Sequence, residues 1–336
     1  MTYQRFTEII GSFPRRKVLV LGDIMVDEFL WGKVSRISPE APVPIVEVQK
    51  ETCYAGGAAN VARNLTEFTS HVSILGLVGQ DAGARKMREL LDDAGVTGQF
   101  LLEDPEFQTV VKTRVIARSQ QMVRVDRERR YTLNVALREE GLRLLDAALA
   151  SVDAVIVEDY GKGLLTQEFA DEVCERIRKA GKLLLVDPNP RNPIHWSGAT
   201  VMKPNRHEAF AAAGQIDEGP VEPVLKDEAL LSIGRKLLQA WNCEMALVTL
   251  SEHGMLLFQR DAQAAPYHAM RTQQVFDVSG AGDTVIALFT LALASGATPE
   301  ECVEIAVHAS SIVVEKIGTA TLTSTELLNA LAEKFQ

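Results

Sequence analysis

An α/β fold, with a mainly parallel sheet covered by helices on both faces, is what this 336-residue sequence predicts. Three observations carry the expectation. Short, wholly apolar runs alternate with stretches whose apolar residues recur at helical spacing, the pattern of doubly buried strands joined by crossover helices. Glycines stand where those helices should stop, since glycine accepts the left-handed backbone of a helix end. Two further segments alternate apolar with polar residues and have no helix of their own, the mark of strands with one wet or partner-facing side.

The buried strands are Val18 to Leu21, Val72 to Leu77, Ala154 to Val157, Leu183 to Val186 and Met245 to Leu250. Helices are expected over Ala58 to Glu67, Ala82 to Ala94, Gln167 to Ala180 and Asp227 to Trp241, with Gly95 and Gly181 at two of their ends. The half-wet segments, Val43 to Val48 and Thr109 to Arg118, predict a small antiparallel sheet built from two excursions, about residues 29–52 and 108–125. Such a sheet suits a lid or a dimer surface. The proline-rich Ile37 to Pro44 stiffens the approach to it, and Ile216 to Pro223, with a glycine, two prolines and three acids, reads as a surface loop. The whole of 1–336 is expected to be one domain carrying that appendage.

A 46% apolar and 24% charged composition is that of an ordinary globular protein able to bury a sizeable core. Forty-five acidic against 35 basic side chains give a formal charge of −10, so no field favours nucleic acid or an anionic membrane. The one basic run, Arg124 to Arg130, is interleaved with acids and reads as a solvated face or an anion contact. Cys53, Cys174, Cys243 and Cys302 lie far apart with no metal-ligand spacing, as buried thiols in a reducing compartment do. No window reaches the roughly 18 apolar residues of a membrane span, and the expected location is the cytoplasm.

The segment Phe276 to Ala287, FDVSGAGDTVIA, carries the most chemistry. Gly280 and Gly282, flanking Ala281, leave room for backbone N–H groups to approach an anion. The apolar stretch Val285 to Leu293 reads as a helix starting there, and helix N-termini attract phosphate because their first amides lack partners and the dipole is positive. A carboxylate is out of place as a phosphate ligand. As an acceptor for the proton leaving an attacking alcohol, Asp283 makes sense. The plain alternative is that Ser279 and Asp283 cap a helix and the glycines serve a tight turn. A G-x-x-x-x-G-K-[ST] loop is absent, and Val20 to Asp23 lacks the G-x-G-x-x-G of a dinucleotide fold.

These residues resemble the PfkB carbohydrate kinases, whose carboxyl-terminal signature reads D-[TV]-[TS]-G-A-G-D. Their amino-terminal signature is similar to Gly56 to Gly79, followed by Asp81. Within the family the likeness is to heptose 7-phosphate kinases, including the kinase half of bifunctional heptose-activating enzymes. It rests on SRISPEAPVPIVEV (Ser35 to Val48), AGGAANVA (Ala55 to Ala62), RSQQMVRVD (Arg118 to Asp126), EDYGKGLL (Glu158 to Leu165) and DVSGAGDTVI (Asp277 to Ile286). The bifunctional version adds a nucleotidyltransferase module with an H-x-G-H motif. None occurs here, and only the phosphorylation step is expected.

The resemblance implies a ribokinase-like three-layer α/β/α fold with a small β-sheet lid. It implies transfer of phosphate from ATP, with Mg²⁺, to the anomeric hydroxyl of D-glycero-D-manno-heptose 7-phosphate. Asp283 would be the base and Gly280, Ala281 and Gly282 the anion hole. Asp27 would hold sugar hydroxyls, with Gly56, Gly57, Asn60 and Asp159 lining the sugar pocket. Lys112 and Arg114, on one side of a strand by their spacing of two, would meet a sugar phosphate or form a solvated strand face. Asn205 and Glu208 match the N-x-x-E pattern associated with Mg²⁺ held through water, and also read as a capping box. Thr249, Ser251 and Gly254 resemble the nucleotide loop, with His308 near the adenine or simply packed. A K⁺ site would use Asp277 and carbonyls near Ser279, Val313 and Gly318.

Familiar heptose kinases read D-P-K where this chain reads DPNPRN, Asp187 to Asn192. Arg191 or Lys203 is then left to replace that lysine. Another PfkB sugar (fructose, ribose or a keto-deoxy acid) is the rival substrate, and a non-catalytic sensor the rival class. The lid implies a homodimer.

Overall fold

Each apolar run becomes a strand whose alternate side chains enter different cores. In the computed structural model, which describes residues 2–118, 120–260, 267–269, 278–316 and 319–333, Val18 and Val20 join one buried cluster while Leu19 and Leu21 join another. In chain order the described strands are β1 (Val18–Gly22), β2 (Ile24–Ile37), β3 (Pro44–Gly57), β4 (Val72–Leu75), β5 (Leu77–Val78), β6 (Leu102–Glu103), β7 (Val110–Ala117) and β8 (Gln120–Arg127). They continue as β9 (Ala154–Glu158), β10 (Leu183–Asp187), β11 (Val201–Met202), β12 (Met245–Thr249), β13 (Met255–Gln259) and β14 (Tyr267–Ala269). The α-helices are α1 (Tyr3–Ile10), α2 (Ala58–Thr66), α3 (Ala82–Asp93), α4 (Val135–Leu149), α5 (Gln167–Lys179), α6 (Arg206–Ala212), α7 (Glu228–Ala240), α8 (Ala281–Ala294), α9 (Pro299–Val313) and α10 (Ser324–Glu333).

Eight strands form the central sheet in the order β14-β13-β12-β11-β10-β9-β1-β4. Pairings from β4 through β12 are parallel, and β13 and β14 are added antiparallel at one edge. Helices α1, α2, α3, α8, α9 and α10 bury their apolar faces on one side, and α4, α5, α6 and α7 on the other. The result is three layers, as both cores require. Gly95 and Gly181 do follow α3 and α5 in the left-handed conformation, φ 70° and 63°. Cys174, Cys243 and Cys302 are buried, and Cys53 is half-buried. Among the described residues no helix is long and apolar enough to cross a membrane.

The expected strand over 72–77 divides at Gly76. β4 stays in the central sheet while β5 pairs with β6. A Cβ at Gly76 would come within 3.1 Å of Ile24 and 3.2 Å of the Gly22 carbonyl, a close approach that only glycine permits without a shift.

The second sheet has the order β3-β2-β7-β8. Its two outer pairs are antiparallel, and the central pair, β2 with β7, is parallel. Each excursion is its own hairpin, and the two first strands leave the body side by side in the same direction. The seam between the sheets lies at the paired glycines. Gly57 takes φ 60°, and a Cβ there would stand 2.4 Å from the Asp23 carbonyl. One at Gly56 would stand 2.2 Å from Oδ2 of Asp27. The pair therefore lets the end of β3 close onto the start of β2, directly before α2.

Candidate active site

The GAGD segment opens α8. Gly280 sits in the left-handed region at φ 79°, and the helix runs from Ala281, buried on nearly every side from Asp283 to Ala292. Its depth is fixed by α2, whose Asn64 accepts a hydrogen bond from Thr284 Oγ1 at 2.9 Å. The first turn therefore presents the helix's positive end at a fixed place.

Asp283 is 9% exposed. Asn60 Nδ2, from α2, donates to its Oδ2 at 2.5 Å. The Tyr160 hydroxyl, from the loop after β9, reaches its Oδ1 at 3.5 Å. Burial pushes the Asp283 carboxyl up to about 6, against the opposing hydrogen bond from Asn60 and with help from the charge of Asp187. A carboxylate of that strength can take and release a proton near neutrality.

Two more carboxylates crowd it. Glu158 ends β9 and Asp187 ends β10, and oxygens of Glu158, Asp187 and Asp283 lie within 4.8 Å of one another. Lys203 Nζ is 2.7 Å from Asp187 Oδ2. Burial disfavours the lysine's charge, but Asp187 and Glu158 more than offset it and hold its pKa above the usual range. Among the described residues, neither oxygen of Glu158 has a hydrogen-bond partner. Burial, then Asp187 and Asp283, raise its pKa well above the ordinary glutamate value. One ammonium among these three carboxylates leaves Glu158 as the group whose charged form is most strongly disfavoured.

Two cavities meet here. The first, about 800 Å³, lies between β7, β8 and the loops after β9 and β10, and is lined by Lys112, Asp159, Tyr160, Lys162 and Arg191 among others. The second, about 560 Å³, is lined by Lys203, Thr249, Ser251, Gly254 and Gly282, with Val307, Ser310 and Ser311 of α9. Asp187, Asn205 and Glu208 line both. Asn205 and Glu208 also form the capping box of α6, with Asn205 Oδ1 accepting from Glu208 N at 2.9 Å and Glu208 Oε2 from Asn205 N at 2.8 Å. The capping and cavity-lining roles coexist.

Other expected residues stand differently. Asp27 accepts from Arg114 at 2.5 Å, and this pair lies outside the lining of both cavities. Asp159 accepts from Asn192 and from the Gly161 amide, and burial lifts its carboxyl to about 7. His308 is buried with Nδ1 against the Glu304 carbonyl at 2.7 Å, while its neighbours on α9 face the second cavity. One helical step rotates a side chain by about 100°, which takes His308 off that face. Val313 O accepts from Lys316 N at 3.0 Å, and Ser279 is exposed at the turn before α8. Asp277 and Gly318 lie outside the described residues.

Sequence reasoning did not single out Glu158, Tyr160, Lys162 or the role of Asp23. The Asp23 carboxylate is 3% exposed and accepts from the amides of Tyr160 and Lys162 at 3.0 and 2.9 Å. It thereby fixes the loop that carries Tyr160 to Asp283. The aspartate directly after β1 was its only signal.

A family model described as pfkB family carbohydrate kinase matches residues 15–326. The chain belongs to that family. As a pfkB-family carbohydrate kinase it is a phosphotransferase acting on a sugar hydroxyl. It is 42% identical over 326 residues to the bifunctional protein HldE of Desulfatibacillum aliphaticivorans, covering 97% of this chain and 65% of that protein. Its fold is that of the Arabidopsis thaliana ribokinase solved with ribose and ATP, at TM-score 0.70 and 18% identity over 94% of this chain and 98% of that one. Phosphofructokinase-2 of Escherichia coli, solved with potassium, superposes at TM-score 0.74 and 18% identity over 96% and 99% of the two chains. The ribokinase-like three-layer architecture of this kinase is thus established.

The crowded carboxylates make a stability prediction. A glutamate whose pKa is higher in the folded than in the unfolded chain gives its full stabilisation below the ordinary glutamate range. That stabilisation is lost as pH rises towards the folded value, by about 1.4 kcal/mol for every pH step of one. Glu158→Gln removes the ionisation. In thermal denaturation it should match wild type near pH 4.5 and be the more stable protein at pH 8. A variant less stable than wild type at pH 8 contradicts a raised Glu158 pKa.

Proposed function

We propose that this kinase transfers the γ-phosphate of ATP to the anomeric hydroxyl of D-glycero-D-manno-heptose 7-phosphate, giving the 1,7-bisphosphate and ADP. The observation that carries the reading is the position of Asp283, buried at the start of α8 within 4.8 Å of Glu158, which lines the first cavity, and of Asp187, which lines both. The heptose follows from the five motifs shared with heptose 7-phosphate kinases and from the similarity to HldE across 97% of the chain.

The sugar occupies the first cavity and ATP the second, whose wall holds Thr249, Ser251 and Gly254. Asp283 takes the proton from the attacking hydroxyl as its oxygen bonds to phosphorus. The bond from the γ-phosphorus to the bridging oxygen breaks, ADP leaves with that electron pair, and the proton passes from Asp283 to solvent. Amides at the start of α8 stabilise the transferring group. Lys203, whose Nζ would be 3.3 Å from a Cβ at Gly282, adds a positive charge at the same spot. Its place in the second cavity supports a role with the nucleotide rather than with the sugar's phosphate.

The oxygen donors Asp187, Asn205 and Glu208 at the junction fit Mg²⁺ that keeps much of its water. When bound, the ion would neutralise charge on the phosphates there. The second sheet acts as a lid over the first cavity, and its closure excludes water as a competing nucleophile.

Asp283→Asn should bind ATP as wild type does and lose about 100- to 10,000-fold in kcat. In wild type, kcat/KM should fall as pH drops below about 6, because protonation of a base with a raised pKa removes the acceptor. An Asn variant of near-normal activity, or a flat profile between pH 5 and 7, refutes the assignment. Exposed apolar residues of the second sheet, among them Trp31, Val48, Val123 and Val125, suit a second copy of the chain. Sedimentation velocity at micromolar concentration should show a dimer; a monomer removes that contact.

A further inference from the structure

Four side chains compete to meet a phosphate on the acceptor sugar, and the geometry separates them. Arg114 is held by Asp27, and Lys203 by Asp187 in the second cavity. Arg191 is exposed at the cavity rim. Lys112 differs from all of these.

Strand register puts Asp27, Lys112 and Asp126 on one rung of the second sheet. Lys112 therefore has a carboxylate on each side, yet both are already taken. Arg114 donates to Asp27 at 2.5 Å, and Arg124 grips Asp126 with two nitrogens at 2.8 and 2.9 Å. Lys162 also lines the cavity, with Nζ 2.7 Å from Glu128. These seven groups are four cations and three carboxylates, and the pairing leaves the surplus charge on Lys112. Lys112 is half-buried, so the surplus is not simply dispersed in water. Burial foremost, then the charge of Lys162, holds its pKa below that of an ordinary lysine. A bound anion relieves both effects.

Tyr160 ties this charge to the chemistry. Lys112 Nζ lies 6.0 Å from the centroid of its ring, and the hydroxyl of the same ring reaches Asp283 at 3.5 Å. A sugar lying along the ring has one end at the base and the other at the surplus cation.

We propose that Lys112 and Lys162 form a phosphate clamp at the far end of the first cavity, selecting acceptors that carry a terminal phosphate, with Glu128 holding Lys162 until that phosphate displaces it. The proposal rests on the kinase reading given above and extends it to two lysines and one glutamate. Turnover and calorimetric binding are measured on heptose 7-phosphate, hexose 6-phosphates and pentose 5-phosphates, each beside its unphosphorylated sugar. Wild type should prefer the phosphorylated member. Lys112→Met should cut the phosphorylated-to-free ratio of kcat/KM by about 10- to 100-fold, the worth of one charge-assisted hydrogen bond. Glu128→Gln, which frees Lys162, should raise the ratio, an effect that structural damage would not produce. Preference for a hexose or pentose phosphate over heptose 7-phosphate removes the proposed substrate and upholds the clamp. A wild type that prefers free sugars, or a ratio unchanged in Lys112→Met, overturns the clamp.

Discussion

Asp283, Glu158 and Asp187 crowd their carboxylates within 4.8 Å of one another, with the ammonium of Lys203 held by Asp187. Burial makes such crowding costly, because low dielectric strengthens every repulsion. The protein resolves it unequally. Asp187 keeps the lysine, Glu158 has no hydrogen-bond partner among the described residues and is pushed well above the ordinary glutamate range by burial, and Asp283 is left with an amide donor and a carboxyl lifted to about 6. That division leaves a carboxyl able to take and release a proton near neutrality, beside a helix start whose dipole favours negative charge.

The fold brings these groups together through one property of parallel sheets. All the strands from β1 to β12 in the central sheet point the same way, so their carboxyl ends share an edge. Asp23 follows β1, Glu158 ends β9, Asp187 ends β10, Lys203 follows β11 and Thr249 ends β12. Asp23 and Tyr160, 137 positions apart, thus become neighbours. The second sheet rises from the same region, since the paired glycines at 56 and 57 join β3 to the body there.

What the sequence disclosed follows from how local each feature is. The doubly buried strands were legible because burial on both faces leaves no polar residue in the run, as in Val18 to Leu21. The start of α8 was legible because Gly280 serves a backbone need, a left-handed φ of 79°, at that very position. Helix α9 was harder to delimit, for it is buried nearly all round and shows no stripe. The parallel centre of the second sheet was hidden, because alternation marks strands but not the direction in which two excursions leave the body. Glu158, Tyr160 and Lys162 were hidden for a related reason. Their roles arise from Asp187, Asp283 and Lys112, which stand far away in sequence, and from a loop tied down by Asp23.

The central claim is that Asp283 faces the reacting hydroxyl while the opening of α8 holds the group in transfer. A crystal structure with Mg²⁺, a non-hydrolysable ATP analogue and the sugar phosphate reads both contacts at once. The account requires an anomeric oxygen within hydrogen-bond distance of an Asp283 carboxylate oxygen and γ-phosphate oxygens at the first amides of α8. A hydroxyl directed elsewhere, with Asp283 bound only to Asn60 and Tyr160, would contradict it.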